Sequence, residues 1–171
     1  SFADDGRGYG VRPANHTLYI GRSGIALFLV SLAAAGGGAR YAAVARAALE
    51  PLVRRLPEQI GSGQFSCGAV SGYGATIYAA AEVAHLLGDR ALLESVVSTV
   101  GEAELATRLG DAPPLDVMDG VAGLLLSLVT LWWRRESAVL AALIAALAAR
   151  LRDASFGDGR YRFGADGHEM T

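Results

Sequence analysis

The sequence predicts an all-α fold, an α/α toroid or solenoid with an inner and an outer layer of helices, on three observations. A glycine corner recurs: Gly24 in Ile20-Gly21-Arg22-Ser23-Gly24-Ile25, Gly74 in Val70-Ser71-Gly72-Tyr73-Gly74-Ala75, and Gly123 in Asp119-Gly120-Val121-Ala122-Gly123-Leu124 align at offsets of 50 and 49 residues, a period typical of stacked supersecondary units. A small residue stands three positions ahead of each (Gly21, Ser71, Gly120). A run apolar on nearly every side follows each corner, which requires enclosure by other protein. The segments between these runs are apolar on one face only, as an outer wall is.

Residues 1–17 are rich in Gly, Asp, Arg and Asn without a period and read as an irregular segment, with a short extended piece at 9–11. A first helical hairpin spans about residues 18–56. Ile25, Leu27, Phe28, Leu29, Leu32 and Ala33 make its inner helix, and Gly36-Gly37-Gly38 stops it. Its outer helix, 39–56, carries Tyr41, Val44, Ala45, Ala48, Leu49 and Leu52 on one face and most of its arginines elsewhere. Pro51 is expected to kink or shorten it. The second hairpin, about 68–109, pairs a helix at 75–87 with one at 90–100. Gly88 ends the former, Asp89 caps the latter, and a short polar helix at 102–109 follows, broken by Gly110-Asp111-Ala112-Pro113-Pro114. The third hairpin, about 115–152, pairs 121–133 with 137–152. Residues 155–171 alternate aromatic and polar side chains around glycines and read as a loop or small hairpin.

Composition narrows the function. A chain of 171 residues buries the core of one ordinary domain. Its formal net charge of −2 lacks the basic excess of a nucleic-acid surface, and its 15 cationic side chains are all arginine and scattered. Apolar residues make up 52% of the chain and the mean hydropathy is +0.33. Even so, the longest uncharged runs, 121–133 and 137–149, are too short to span a bilayer. With no signal peptide at its start and a single cysteine, Cys67, the sequence suits a cytoplasmic protein without internal disulfides. The missing initiator methionine and the ending Gly167-His168-Glu169-Met170-Thr171 lead to the expectation that the chain is part of a longer protein.

Three motifs in order carry a family resemblance: Leu18-Tyr19-Ile20-Gly21-Arg22-Ser23-Gly24-Ile25-Ala26-Leu27-Phe28-Leu29, Gly68-Ala69-Val70-Ser71-Gly72-Tyr73-Gly74, and Leu115-Asp116-Val117-Met118-Asp119-Gly120-Val121-Ala122-Gly123. From Leu18 to Thr171 the chain resembles the LanC-like cyclase domain of lanthionine synthetases, and its first motif looks most like the two-domain class II enzymes, LanM, in which a dehydratase precedes the cyclase. The resemblance implies a ring of inner and outer helices around a zinc ion, of which these residues are the amino-terminal half. It implies thioether ring formation in lanthipeptide (lantibiotic) biosynthesis: a cysteine thiol of a ribosomally made precursor peptide adds to dehydroalanine or dehydrobutyrine. A metal lowers the pKa of a bound thiol, and a nearby acid or histidine handles the protons. The family's active-site aspartate matches Asp116, and Met118 is a mild departure from the motif. The family's zinc ligands, two cysteines and a histidine, fall beyond Thr171, so no metal ligand is carried over. The expectation is that these residues alone hold no catalytic Zn2+ and close no rings.

Each singled-out residue has a plainer role to weigh. Spacing alone favours Asp116 as a turn acid that bonds free backbone amides ahead of Val121; the resemblance makes it the active-site position. Asp119 reads as a cap of the same kind. Cys67 reads as a small packed residue, His85 as a core or interface histidine, and Trp132 and Trp133 as helix packing. His16 and His168 sit in loops without partners at metal spacing, and Arg22 reads as a solvent or turn-bonding side chain. The glycines serve close approach or positive φ.

Two other functions stay open. Another α/α-toroid enzyme, such as a glycoside hydrolase, typically needs two carboxylates across a sugar site. A helical-repeat scaffold that binds a peptide without catalysis needs none. An open arc of helices also leaves flanks of the first and third inner helices unpartnered, predicting exposed apolar surface and self-association.

Overall fold

The computed structural model describes residues 2–4, 9–11, 14–62, 66–103, 105, 109, 113–154, 161–163 and 168–170. Six α-helices among them build the architecture: α1 (Arg22–Leu32), α2 (Ala39–Ser62), α3 (Tyr73–Leu87), α4 (Arg90–Glu102), α5 (Val121–Arg134) and α6 (Ala138–Asp153). Two antiparallel strand pairs accompany them, Phe2–Asp4 with Tyr9–Val11 and Tyr161–Phe163 with His168–Met170. The extended piece at 9–11 and the hairpin reading of the last residues are thus both found. Half of the short helix expected at 102–109 falls outside the described residues; Glu102 ends α4, and Leu105 is helical and fully buried.

The helices form two layers. Helix α3 packs between α1 and α5, giving an inner row in chain order α1, α3, α5. Helices α2, α4 and α6 lie behind: α2 packs on α1 and α3, α4 on α3, and α6 on α5, while α4 also touches both α2 and α6. This is the α/α arrangement that the alternating hydropathy predicts. Enclosure goes furthest for α3, which buries Tyr73, Ala75, Ile77, Ala79, Ala81 and Val83 and leaves one stripe, Tyr78, Glu82 and His85, half-buried to exposed. The outer helices each bury a single stripe, Leu49, Leu52, Leu56 and Ile60 on α2, Val96 and Val100 on α4, Leu140 and Leu147 on α6.

The inner helices at the two ends of the row keep an apolar flank in solvent. Phe28 of α1 is 67% exposed and Leu126 of α5 is 54% exposed. The unpartnered flanks expected of an open arc are therefore present. Two assignments change with them. Trp133 is 76% exposed, and only Trp132 of the pair packs against the core. His85 lies exposed in the last turn of α3, which removes the core half of its core-or-interface reading. Helical period marks both positions as apolar or interior, but it cannot say which flank has a neighbour.

Helix ends follow local chemistry. A π turn, Ala33–Gly37, closes α1, and Gly36 and Gly38 take positive φ values of 97° and 95° that only glycine adopts without strain. Gly88 is the left-handed cap of α3, and Asp89 accepts a hydrogen bond from the Leu92 N–H to start α4. The other oxygen of Asp89 pairs with Arg46 of α2 and ties the outer layer to this turn. Helix α2 departs from expectation: it runs through Pro51 and Pro57 to Ser62 instead of stopping near residue 56. Its buried stripe continues with Val53, Leu56, Gln59 and Ile60, so tertiary burial outweighs the hydrogen bonds that the prolines remove.

The inner helices begin in one repeated way. Their N-caps are Gly21, Gly72 and Gly120, all extended, with no side-chain cap. The first helical N–H of each bonds the carbonyl seven residues earlier: Arg22 to Asn15, Tyr73 to Ser66, Val121 to Pro114. In α5 the next two follow suit, Ala122 to Leu115 and Gly123 to Asp116. A folded-back loop thus supplies the acceptors that a capping side chain usually gives. This register corrects the repeat: the first helical residues stand at 22, 73 and 121, so Gly24 and Gly123 correspond to Ala75, one position beyond Gly74.

The N-cap backbones are not left-handed, so the glycines are required for space rather than for φ. A Cβ on Gly24 would overlap the Leu18 carbonyl oxygen, and one on Gly123 the Val117 oxygen and the Ala69 nitrogen. No helix among the described residues is long and apolar enough to cross a membrane. The corner geometry predicts that Gly123→Ala lowers unfolding stability by about 1–3 kcal/mol, as overpacking against backbone does. Gly101→Ala on α4 meets only the end of Val139 and shifts stability by less than about 1 kcal/mol. Urea-denaturation midpoints of the two variants check this ordering.

Candidate functional site

The three corners, 15–21, 66–72 and 114–120, lie at the N-terminal ends of the inner helices and are stitched to one another through backbone. Corner one joins corner two by the Leu18 N–H to the Val70 carbonyl, 2.8 Å, and by His16 Nε2 to the Ser71 carbonyl, 2.9 Å. Corner two joins corner three by a longer series. The Cys67 and Gly68 N–H groups donate to the Asp119 carbonyl, Ala69 N–H to Val117, and Val70 and Ser71 N–H to Met118, all within 3.0–3.2 Å. A Cβ on Gly68 would overlap the Met118–Asp119 peptide, so this close approach also depends on glycine.

Four residues ahead of the three N-caps stand Thr17, Gly68 and Asp116, so the acid is peculiar to the third corner. Asp116 is half-buried. Its Oδ1 accepts hydrogen bonds from the Met118 N–H at 2.7 Å and the Asp119 N–H at 2.8 Å. This is the turn-bonding role that spacing alone assigns it. Its Oδ2 accepts no hydrogen bond among the described residues. A carboxylate with one oxygen anchored and the other open can take up and return a proton without losing its place.

Around it, Asp119 carries two tasks. Its carbonyl receives corner two, and its Oδ1 accepts from the Ser71 hydroxyl. The Cys67 Sγ lies 3.7 Å from the same carbonyl, and Cys67 is buried and free. Burial, before any other cause, pushes the thiol from its ordinary 9.0 up to about 11; the Asp116 and Asp119 charges push the same way, and a backbone hydrogen bond and Arg150 pull back. Cys67 is therefore the packed, neutral thiol that its position suggests. Burial likewise raises the Tyr73 phenol, with a smaller push from Cys67.

Other singled-out residues sort as follows. His16 belongs to the seam, a role that its loop position did not signal, and its carbonyl also accepts from the buried Ser23 hydroxyl at 2.6 Å. Arg22 enters the corner through its backbone N–H. The side chain of His168 lies outside the described residues. Ser71 is the contact that sequence reasoning missed: it was seen only as a small residue before a glycine, and its partners lie 47 and 48 residues away.

Among the described residues no three His, Cys, Asp or Glu side chains gather as a metal-binding group. Among the described residues two grooves lie elsewhere, in the outer layer between α2 and α4. One is lined by Pro57, Ile60, Thr99 and Glu102 and the other by Arg46, Glu50, Asp89 and Ser95.

Compared with known families, the chain matches the one described as lanthionine synthetase C-like protein over residues 12–157, well over half of its length. The match begins six residues before Leu18 and so takes in the whole of the first corner. No curated protein matches the chain.

The raised Cys67 thiol has a signed consequence. Between its ordinary pKa and about 11, the unfolded chain releases the thiol proton while the folded chain keeps it, so stability falls as pH rises through that window. Denaturation midpoints between pH 8 and 11 are expected to fall less steeply in Cys67→Ala than in the wild type. Folded protein at pH 8 is expected to react with iodoacetamide far more slowly than urea-unfolded protein.

Proposed function

The chain belongs to the lanthionine synthetase C-like family, and from that premise we propose that it forms part of a cyclase that closes thioether rings in a dehydrated peptide. The substrate class is a ribosomally made precursor bearing cysteine together with dehydroalanine or dehydrobutyrine. In the reaction the cysteine S–H bond breaks, sulfur bonds the β-carbon of the alkene, and the α-carbon gains a proton. The product is an isomer of the substrate. We assign Asp116 the proton-handling role: Oδ1 stays anchored on two amides while Oδ2 accepts the thiol proton and returns one to the enolate. That open oxygen beside an anchored one, in the only corner with an acid, is the observation that carries the proposal. A two-domain class II arrangement, with a dehydratase of the same polypeptide preparing the substrate, is the setting that the first corner motif suggests.

A second reading has its own support, because both hydrogen bonds of Asp116 are those of a turn cap. On that reading the corners are purely structural and the helices are a binding scaffold. Asp116→Asn separates the two, since asparagine keeps an oxygen for both amides but cannot relay a proton. The substrate is a synthetic peptide with one dehydroalanine and one cysteine, and ring closure is read as loss of alkylatable thiol. In the whole protein the variant is expected to close rings about 10²–10⁴-fold more slowly, with an unchanged denaturation midpoint. Equal rates in wild type and variant would leave the scaffold reading standing.

A further inference from the structure

We propose that Ser71 is a positioning residue for Asp116, acting through the peptide planes of the third corner and not on substrate; this rests on the assignment of Asp116 above. The two N–H groups that hold Asp116 Oδ1 belong to consecutive peptide units, 117–118 and 118–119. The opposite ends of the same units are fixed from corner two. The Val117 carbonyl accepts from the Ala69 N–H at 3.0 Å, and the Met118 carbonyl accepts from the Val70 and Ser71 N–H groups at 3.1 and 3.2 Å. Each donor that faces Asp116 is thus the far end of a peptide whose carbonyl is already bonded, an arrangement that polarises the unit and strengthens the N–H as a donor.

Ser71 is the side chain that completes this clamp. Its hydroxyl lies 3.2 Å from the Met118 carbonyl and donates to Asp119 Oδ1. A hydroxyl has one proton to give, and a charged acceptor takes it more strongly than a carbonyl. The contact therefore draws the Asp119 side chain across the seam and holds the 118–119 peptide between Ser71 on one side and Asp116 on the other. The carbonyl of Ser71 is in turn bonded by His16 Nε2, so the clamp is braced from corner one. Removing the hydroxyl leaves every backbone bond of the seam in place but releases the Asp119 side chain, so the 118–119 peptide is held across the seam by backbone alone. The Asp119 N–H that Oδ1 of Asp116 bonds is then fixed less firmly, and the open oxygen is aimed less closely.

The test compares Ser71→Ala, Ser71→Thr, Asp116→Asn and the double variant Ser71→Ala/Asp116→Asn in the whole protein, with the dehydroalanine–cysteine peptide as substrate. Ser71→Ala is expected to lower kcat about 10- to 100-fold, the scale of a misplaced catalytic group, with KM within about twofold; Ser71→Thr, which keeps the hydroxyl, restores most of it. In the Asp116→Asn background Ser71→Ala is expected to add no further loss, because the residue it positions is already gone. Amide exchange in this chain supplies a readout independent of turnover: Met118 and Asp119 N–H exchange about tenfold faster in Ser71→Ala while α3 amides do not change. Full additivity of the two substitutions, or unaltered kcat in Ser71→Ala while Asp116→Asn is impaired, overturns the positioning role alone. Unaltered kcat in Asp116→Asn overturns the assignment of Asp116 and this proposal with it.

Discussion

The contact on which the rest depends is the approach of a loop backbone to the first turn of an inner helix at a distance that leaves no room for a Cβ. A helix start presents N–H groups without intrahelical partners, and proteins usually satisfy them with a serine, threonine or aspartate. Here glycine stands at that position three times, and the acceptors come from main-chain carbonyls seven residues upstream. The chain thereby obtains a cap and a sharp change of direction from the same residues. The corner is then narrow enough for its neighbour to hydrogen-bond along it, and the three corners become a continuous seam rather than three separate turns.

The seam explains how the two layers are held in place. Inner helices enter from the seam at one end, and at the far end of α5 and α3 the Arg134 guanidinium grips Glu82 through two bonds of 3.1 and 3.0 Å. Arg135 reaches Glu94 on α4, and Arg46 reaches Asp89, so charged contacts tie outer helices to the turns between layers. Between these ends the packing is mostly alanine, leucine and valine, with Thr76 and Ser127 as the buried polar exceptions on α3 and α5, Ser127 bonding back to the Gly123 carbonyl. The exposed pair, Arg135 with Glu94, contributes little to stability; the value of all three is in register. The loops entered through glycine are by this construction bonded along their backbone to one another, and Asp116 is held within them.

Much of this was legible in the residues, for a physical reason. Gly36, Gly38 and Gly88 stop helices, and Asp89 starts one, through interactions that span a few positions and leave a local signature. The six helices and their alternation between enclosed and half-wet follow from period and composition. What was not legible depends on neighbours distant in the chain. Helix α2 passes two prolines because Val53, Leu56 and Ile60 find burial beyond them. Trp133 and His85 are exposed in the last turns of α5 and α3, where no described helix covers them. The one-residue slip in the second repeat hides in sequence, where Gly72 and Gly74 both offer a glycine to align. Asp116 was marked as a candidate because its acid is peculiar to one corner and its motif resembles that of a family. Ser71 and His16 were not, since a serine before a glycine and a histidine in a loop carry no mark of partners some fifty residues away.

The central claim is that three glycine corners form one hydrogen-bonded seam that fixes the carboxylate of the third. Native-state hydrogen exchange of the seam amides, Leu18, Cys67, Gly68, Ala69 and Val70, measures it most directly. The account predicts that all five exchange slowly and together, with protection comparable to the α3 interior at Ile77 and Ala80. Exchange at the rate of unstructured loop amides, or protection in one corner without the others, would contradict it.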